Sequence, residues 1–479
     1  MLSDPTLLAQ ALSYADPGDT NATLVHPLIK KYLSFYLAMV SDIMASSQKG
    51  LVKPKPFSVY PGALAGWILD AFDLSMMFLL VPVLADIFFP ANFGLAIIGT
   101  WSIYTTTFIF RPVGGAIFGR VGDKIGRKPA MVITLGGLGA IIFLTGFLPT
   151  YAAIGIAAPL LLFLFRIITG IFAGGEYGNS ATILMETVKN NKRGLWGAAI
   201  QSGYPIGYTL AAVVFLLLHF AFPGTSFAIT GWRWMFWIGI IPVIIGLILR
   251  VTMPESAMWS ELHKKRKVSR APLSALFKDR KTTMGVMTGI LAMTGIAWVY
   301  GLTLGFYPTI LSVGNFMTFP SYIYVVIIAI LLSLIGYFAS GYFSDFIGRR
   351  NVMILFSIIG IILAIPMTYL IITHSLGFYG ALAFASVLAF ITTGIYGVIP
   401  SFLAEKFPTT IRSTGTGLGF NGGFIIGNWS TVFLLLIVGF AAASFFEWWG
   451  VFVIIGELFI LASALLSKET KGVDLKTIS

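Results

Sequence analysis

Long apolar stretches broken by short polar ones dominate the chain. Twelve runs are long enough to cross a bilayer, whose hydrocarbon core of about 30 Å takes about 20 helical residues. They lie near 62–86, 95–119, 129–150, 156–183, 195–221, 232–253, 282–311, 320–343, 351–373, 378–404, 413–440 and 448–467, numbered here as spans 1 to 12. The pattern predicts an all-α membrane protein of twelve transmembrane helices in two pseudo-symmetric six-helix halves. The halves are 61–253 and 282–467, joined by a loop at 254–281 that holds Lys264-Lys265-Arg266-Lys267. A polar tail, 1–60, precedes them and a short one, 468–479, follows. The first tail has no basic segment leading into a cleavable apolar core, so it does not read as a signal peptide. Its stretch 26–45 has the pattern of an amphipathic helix for the inner membrane surface, or of a partly disordered tail.

The polar interruptions repeat. Gly122-Asp123-Lys124-Ile125-Gly126-Arg127-Lys128, between spans 2 and 3, returns 222 residues later as Ser344-Asp345-Phe346-Ile347-Gly348-Arg349-Arg350, between spans 8 and 9. Glu186 with Arg193, and Glu405 with Arg412, form a second pair at an offset of 219, each Glu seven residues before its Arg. A duplicated apolar chain of this kind is the pattern of a carrier whose halves rock about a central site.

Composition agrees with the pattern. Hydrophobic residues make up 57% and charged residues 10%, against about 25% charged in soluble domains. The absence of Cys excludes disulfides, thiol catalysis and thiolate metal sites. The net charge of +12 would suit nucleic acid if it were spread over a surface, but its placement says otherwise. With both tails cytoplasmic, 28 of the 31 Lys and Arg fall in inside segments, as the positive-inside rule requires. The exceptions are Arg111 and Arg166 inside spans and Arg233 just outside span 6. The charge is therefore a signature of topology and of anionic lipid, not of nucleic acid. No Gly-Lys-Ser or Gly-Lys-Thr phosphate loop is present. His26, His219, His263 and His374 sit in tails, loops or span edges, so neither a metal nor a cofactor nor an enzymatic centre is expected.

The candidate chemistry lies within the spans, where ionisable groups are expensive and mark function by default. Asp70 and Asp73 share one face of span 1. At about 1.5 Å per residue, Asp73 and Arg166 both fall near the middle of the membrane, and Asp70 and Arg111 match one another slightly further in. Two pairings follow, Asp73–Arg166 and Asp70–Arg111. A buried carboxylate is held as an anion by a nearby Arg and as an acid by desolvation, so making and breaking such a pair ties proton binding to access. Asp73, with Asp70, is the expected proton carrier; the structural alternative is a static pair joining spans 1 and 4. Glu176 is a second protonation site, a gate, or the partner of a loop cation. Tyr104, Asn179, Gln201, Tyr204, Tyr300, Tyr396, Asn421 and Asn428 are the candidate substrate-facing residues, with helix packing the competing role for each, and Arg111, or Arg166, either modulates the aspartates or holds the substrate carboxylate. Glu457, in span 12, has no evident partner beyond an interhelical hydrogen bond.

Gly119-Arg120-Val121-Gly122-Asp123-Lys124-Ile125-Gly126-Arg127-Lys128 resembles the loop signature of the major facilitator superfamily. Arg166-Ile167-Ile168-Thr169-Gly170, Pro254-Glu255-Ser256, the segment from Glu405 to Arg412 and Lys468-Glu469-Thr470 are of the same type. The resemblance covers about 60–470 and implies an alternating-access carrier. It further implies that Gly119, Asp123, Gly126, Arg127, Glu186, Arg193, Asp345, Arg349, Glu405 and Arg412 form a conformational latch. Asp70-Ala71-Phe72-Asp73 resembles the span 1 signature of the sialate:H+ symporter group, which includes monocarboxylate carriers. The segments 175–182 and 201–207 are similar to its spans 4 and 5. The monocarboxylate motif of span 7 is absent, Trp298 to Pro308 standing in its place.

Together these point to proton-coupled symport of a small organic anion, a carboxylate first. Phosphate and sugar symport, an uncoupled facilitator, a drug/proton antiporter and a non-transporting sensor are the alternatives. The protein is expected in the plasma membrane, functional as a monomer, with both termini cytoplasmic.

Overall fold

The computed structural model describes residues 55–89, 93–264, 272–313, 317–373, 377–438, 445–475 and 478. The tail stretch 26–45, Lys265-Arg266-Lys267, His26 and His374 lie outside the described residues. Every regular element among the described residues is helical. Eleven helices are long and apolar enough to cross a membrane: Pro56–Phe88 (span 1), Arg127–Thr145 (3), Ala157–Thr187 (4), Asn190–Ala221 (5), Phe227–Thr252 (6), Arg280–Ser312 (7), Ser321–Ile347 (8), Arg349–Ile372 (9), Gly377–Ala404 (10), Arg412–Ile437 (11) and Glu447–Leu466 (12). Helix Phe93–Ile125 takes the place of span 2, with Thr105, Thr106, Thr107 and Arg111 along its middle. This is the expected twelve-helix arrangement.

The duplication is visible in the neighbours. Span 2 packs on span 4 as span 8 packs on span 10, and span 1 on span 5 as span 7 on span 11. Glycines permit these approaches. A Cβ on Gly114 would lie 1.8 Å from the Ile171 carbonyl, and one on Gly174 1.9 Å from that of Arg111. On the other side of the repeat, a Cβ on Gly397 would lie 2.0 Å from the Tyr337 carbonyl. Lipid tails supply no hydrophobic drive between helices, so contact at this distance is what joins them. Apolar side chains turn outward instead, as Ile241, Ile244, Ile245 and Ile248 do on span 6, while Arg250 of the same helix is fully buried.

Span 7 is discontinuous. Its helix stops at Leu302, turns through 303–306 and resumes at Tyr307. Inside a membrane the freed carbonyls need partners, and side chains from other spans supply several. Ser430 Oγ donates to Trp298 O at 2.8 Å, Thr431 Oγ1 to Gly301 O at 2.6 Å, Trp449 Nε1 to Leu302 O at 2.7 Å and Tyr208 OH to Leu304 O at 2.8 Å. The last donor belongs to span 5, so this bond joins the two halves. The end that carries the charged loops is called here the basic end.

Candidate functional site

Three buried ion pairs line span 1. Nearest the basic end, Glu176 meets Arg250, whose Nη1 donates to Oε2 at 2.9 Å and whose Nη2 contacts Oε1. Ser180 and Thr134 donate to the same carboxylate at 2.8 and 3.0 Å. Gly66 leaves the room, since a Cβ there would overlap both partners. Next, Arg111 grips Asp70 with two parallel bonds, Nη1 to Oδ1 at 3.0 Å and Nη2 to Oδ2 at 2.6 Å. Furthest along, Arg166 Nη1 bonds both oxygens of Asp73 at 3.1 and 3.0 Å, and its Nη2 donates to Thr145. Both pairings expected from depth are thus made in the structure. Fork-to-carboxylate geometry of this kind is strong because both partners are charged. Removing one partner of such a pair leaves an uncompensated buried charge, at about 3–5 kcal/mol.

The pairs differ in what else they touch. Arg166 is held by Asp73 and Thr145, both in the first half. Arg111 reaches across: its Nε donates to Asn421 Oδ1 on span 11 at 3.0 Å. Asn421 in turn donates to Gly174 O and Gly417 O, both at 2.8 Å. The guanidinium also lies 5.2 Å from the Phe424 ring centre. Arg111 is therefore a cation of the central ion pairs at which the two halves meet.

Around it stand the expected substrate-facing tyrosines. The Tyr204 ring lies 5.1 Å from that of Tyr300 and 6.4 Å from that of Tyr396, and Tyr300 and Tyr396 are 6.0 Å apart. Tyr104 packs 4.8 Å from Phe78, which also borders Tyr300 and Tyr208. Tyr104 and Tyr204 are close enough to Asp70 and Arg111 to feel their charges. Tyr104 OH, both amide atoms of Gln201 and Asn428 Nδ2 are buried with no protein hydrogen-bond partner. Buried polar atoms without partners are uncommon and call for an account. Asn179 is placed elsewhere: its Oδ1 accepts from Ser413 at 2.7 Å and its Nδ2 donates to Phe118 O and Gly175 O. It joins spans 2, 4 and 11 by packing rather than lining the tyrosine group.

At the basic end the repeated motifs lock crosswise. Asp123 accepts from the backbone N–H and hydroxyl of Thr414, in the first turn of span 11. Asp345 accepts from the N–H groups of Gly194 and Leu195 at 2.8 and 3.0 Å, in the first turn of the helix Arg193–Gln201. Each acid thus caps a helix of the opposite half, where the free N–H groups and the helix dipole favour an anion. The glutamates cross as well. Glu186 pairs with Arg412 at 2.9 Å, and Glu405 with Arg349 at 3.0 Å and Arg193 at 3.8 Å. Arg127 holds Asp123 at 3.2 Å. Gly119 lies against Thr414, and Gly126, at φ +119, takes a conformation that favours glycine. Burial pushes Glu405 above its ordinary range, and the Arg349 charge and hydrogen bonds pull it part of the way back.

Two residues depart from expectation. Arg250, counted from sequence among the inside-segment charges, is a fully buried partner of Glu176. Its place two residues before the end of the helix Ile240–Thr252 reads equally well as a positive-inside charge, so the sequence held no distinct signal for it. Glu457 is fully buried against span 9, where Gly360 makes room for it. Ser357 interacts weakly with it, and neither carboxyl oxygen has a well-formed hydrogen bond. Away from the span ends it is the one ionisable carboxyl or basic side chain of spans 7 to 12 among the described residues. The three ion pairs along span 1 lie in the first half, and the second half presents Tyr300, Tyr396, Asn421 and Asn428.

The sequence profile of the Major Facilitator Superfamily matches residues 64–428. An inner membrane metabolite transport protein of Escherichia coli, YhjE, is 32% identical over 385 residues, covering 77% of this chain and 84% of its own. A proline/betaine transporter of Salmonella typhimurium is 32% identical over 372 residues, covering 75% and 73%. Among solved structures, the E. coli xylose transporter XylE in a partially occluded inward-open conformation superposes with a TM-score of 0.65, covering 88% of this chain and 99% of its own, at 18% identity. That likeness shows the fold alone.

Proposed function

The chain belongs to the Major Facilitator Superfamily, and from that premise we propose that it is a plasma-membrane symporter that moves a small organic anion, a carboxylate first, together with a proton. As a member of the superfamily it is a secondary transporter and not an enzyme. The observation that carries the reading is the bidentate Asp70–Arg111 pair, tied to the second half through Asn421.

The mechanism follows from competition. Arg111 has its three nitrogens committed to Asp70 and Asn421. A substrate carboxylate that takes the guanidinium displaces Asp70, which then sits in a buried site without its cation. An isolated carboxylate there is favoured as the neutral acid, so anion and proton load together. Release on the cytoplasmic side restores the pair and expels the proton. The tyrosines and the free amides of Gln201 and Asn428 bind the uncharged part of the substrate. Asp73 with Arg166, the pair first expected to carry the proton, is engaged within one half and takes the role of a second proton site. With both termini cytoplasmic, the basic end faces inward.

A second reading has support in the aromatic lining and in the proline/betaine relative. A zwitterion would place its carboxylate at Arg111 and its ammonium against the rings of Tyr204, Tyr300 and Tyr396, by cation–π attraction. Proteoliposomes with an acidic exterior separate the possibilities. Labelled lactate, a panel of other carboxylates and glycine betaine would be offered to the intact chain, Asp70→Asn and Asp73→Asn. Symport predicts accumulation driven by the gradient, lost in Asp70→Asn while exchange of substrate across the membrane survives. Uptake that ignores the gradient would leave a facilitator, and movement of betaine alone would favour the zwitterion.

A further inference from the structure

The segment 468–475 runs across the basic end and is held by both halves. Its first part is anchored on the second half. Glu469 accepts from the backbone N–H groups of Arg349 and Arg350 at 2.9 and 3.1 Å, capping span 9, and Thr470 Oγ1 donates to Glu405 at 2.7 Å. The chain then crosses the seam. Arg193 Nη1, of the first half, donates to Val473 O at 2.7 Å, and Arg412 Nη2, of the second, donates to Leu475 O at 2.8 Å. The Leu475 side chain is fully buried in an apolar cluster with Val59, Met131, Ile183 and Ile200 of the first half and Ala404 of the second.

We propose that the basic end is a docking groove for a peptide segment, and that its occupant is this chain's own 473–475, whose seating keeps that end shut. Arg193 and Arg412 each serve twice, once on a glutamate of the opposite half and once on a tail carbonyl. Val473 and Leu475 are bound through main-chain oxygens, so the arginines read the backbone rather than particular side chains there. Leu475 supplies the apolar anchor. The anchored part of the tail moves with the second half, whereas most of the pocket around Leu475 belongs to the first. Separating the halves at this end therefore requires the leucine to leave its pocket. The inference rests on the alternating access proposed above, but its test reads opening and not transport.

The chain has no cysteine, so a single Ser401→Cys reports the seam: Ser401 is fully buried and its backbone nitrogen lies against Gly197 of span 5. The rate of labelling by a membrane-permeant maleimide would be measured in Ser401→Cys alone and combined with Leu475→Asp or Leu475→Met. The expected result is labelling faster by roughly tenfold or more with Leu475→Asp, in keeping with the loss of a buried leucine, and near the starting rate with Leu475→Met. Monodisperse elution and an unfolding transition for each variant would establish that the bundle is intact. Equal labelling with Leu475→Asp and Leu475→Met, whether fast or slow, would overturn the proposal. A failed symport assay would leave this result unaffected.

Discussion

Arg111 and Asn421 are 310 residues apart in sequence and bonded at 3.0 Å in space, each from a different half of the duplication. Through this bond the ion pair at Asp70 is connected to the half that has no ion pair of its own at this depth among the described residues. Asn421→Ala cuts the connection and leaves Asp70–Arg111 whole. A hydrogen bond to a charged group is worth about 1.5–3 kcal/mol, so gradient-driven uptake should fall by at least roughly tenfold. If the two residues act on one step, the double variant with Asp70→Asn should be no worse than Asp70→Asn alone. Losses that multiply would show that they act separately.

Gly174 sets the position of Arg111 by packing. A Cβ at Gly174 would lie 1.9 Å from the Arg111 carbonyl, and that atom is backbone and has no side-chain freedom to retreat. Gly174→Ala should push span 2 from span 4, and a displacement of about 1 Å at a reacting group can cost about 10²-fold. Gly417→Ala is the contrast, because its nearest neighbour would be 3.5 Å away, an ordinary contact. Initial uptake rates of the two variants, at matched protein levels, should differ by more than tenfold.

Glu457 should be dispensable for coupling and unfavourable for stability. It is buried, no cation faces it among its described contacts, and neither oxygen is well bonded. Replacing a poorly satisfied buried polar group by an apolar one of similar shape recovers about 1–3 kcal/mol. Glu457→Met should raise the melting temperature in detergent and leave the pH profile of uptake in place. A lower melting temperature would mean that the acid has a partner in another conformation.

Lys406 gives the basic end a pH dependence. It lies over the Phe402 ring and donates to Thr288 and Ser467 at 3.1 Å. Burial pushes its ammonium down to about 8, against the pull of Glu405 and Glu469. Below pH 8 folded and unfolded chains both carry the proton. Between about 8 and the ordinary value near 10.5 the unfolded chain binds more protons, so stability rises with pH across that window. Melting in detergent from pH 7 to 10 should show this rise in the wild type and a flatter curve in Lys406→Met.

The central ion pairs were readable because charges are so few inside the spans. With two acids on one face of span 1, and Arg111 and Arg166 at matching depths, the number of pairings is small. Arg250 was missed for the same economy: near the end of span 6 it counts equally well as a positive-inside charge, and only packing shows that it turns toward Glu176. The crosswise locks were hidden by their own spacing. Glu186 lies seven residues from Arg193, and nothing local says that it will choose Arg412 instead. The break in span 7 was hidden for another reason. Its cost is met by Ser430, Thr431, Trp449 and Tyr208, which lie far from it in sequence.

Asp123 and Asp345 each finish a helix that begins in the other copy of the repeat. Neither copy is chemically complete by itself, since each would keep an aspartate with no helix to cap and a helix start with nothing capping it. The two bonds are related by the internal symmetry, so a rotation that stretches one stretches its twin. On the proposed alternating access, the basic end therefore parts as one seal rather than at a single corner.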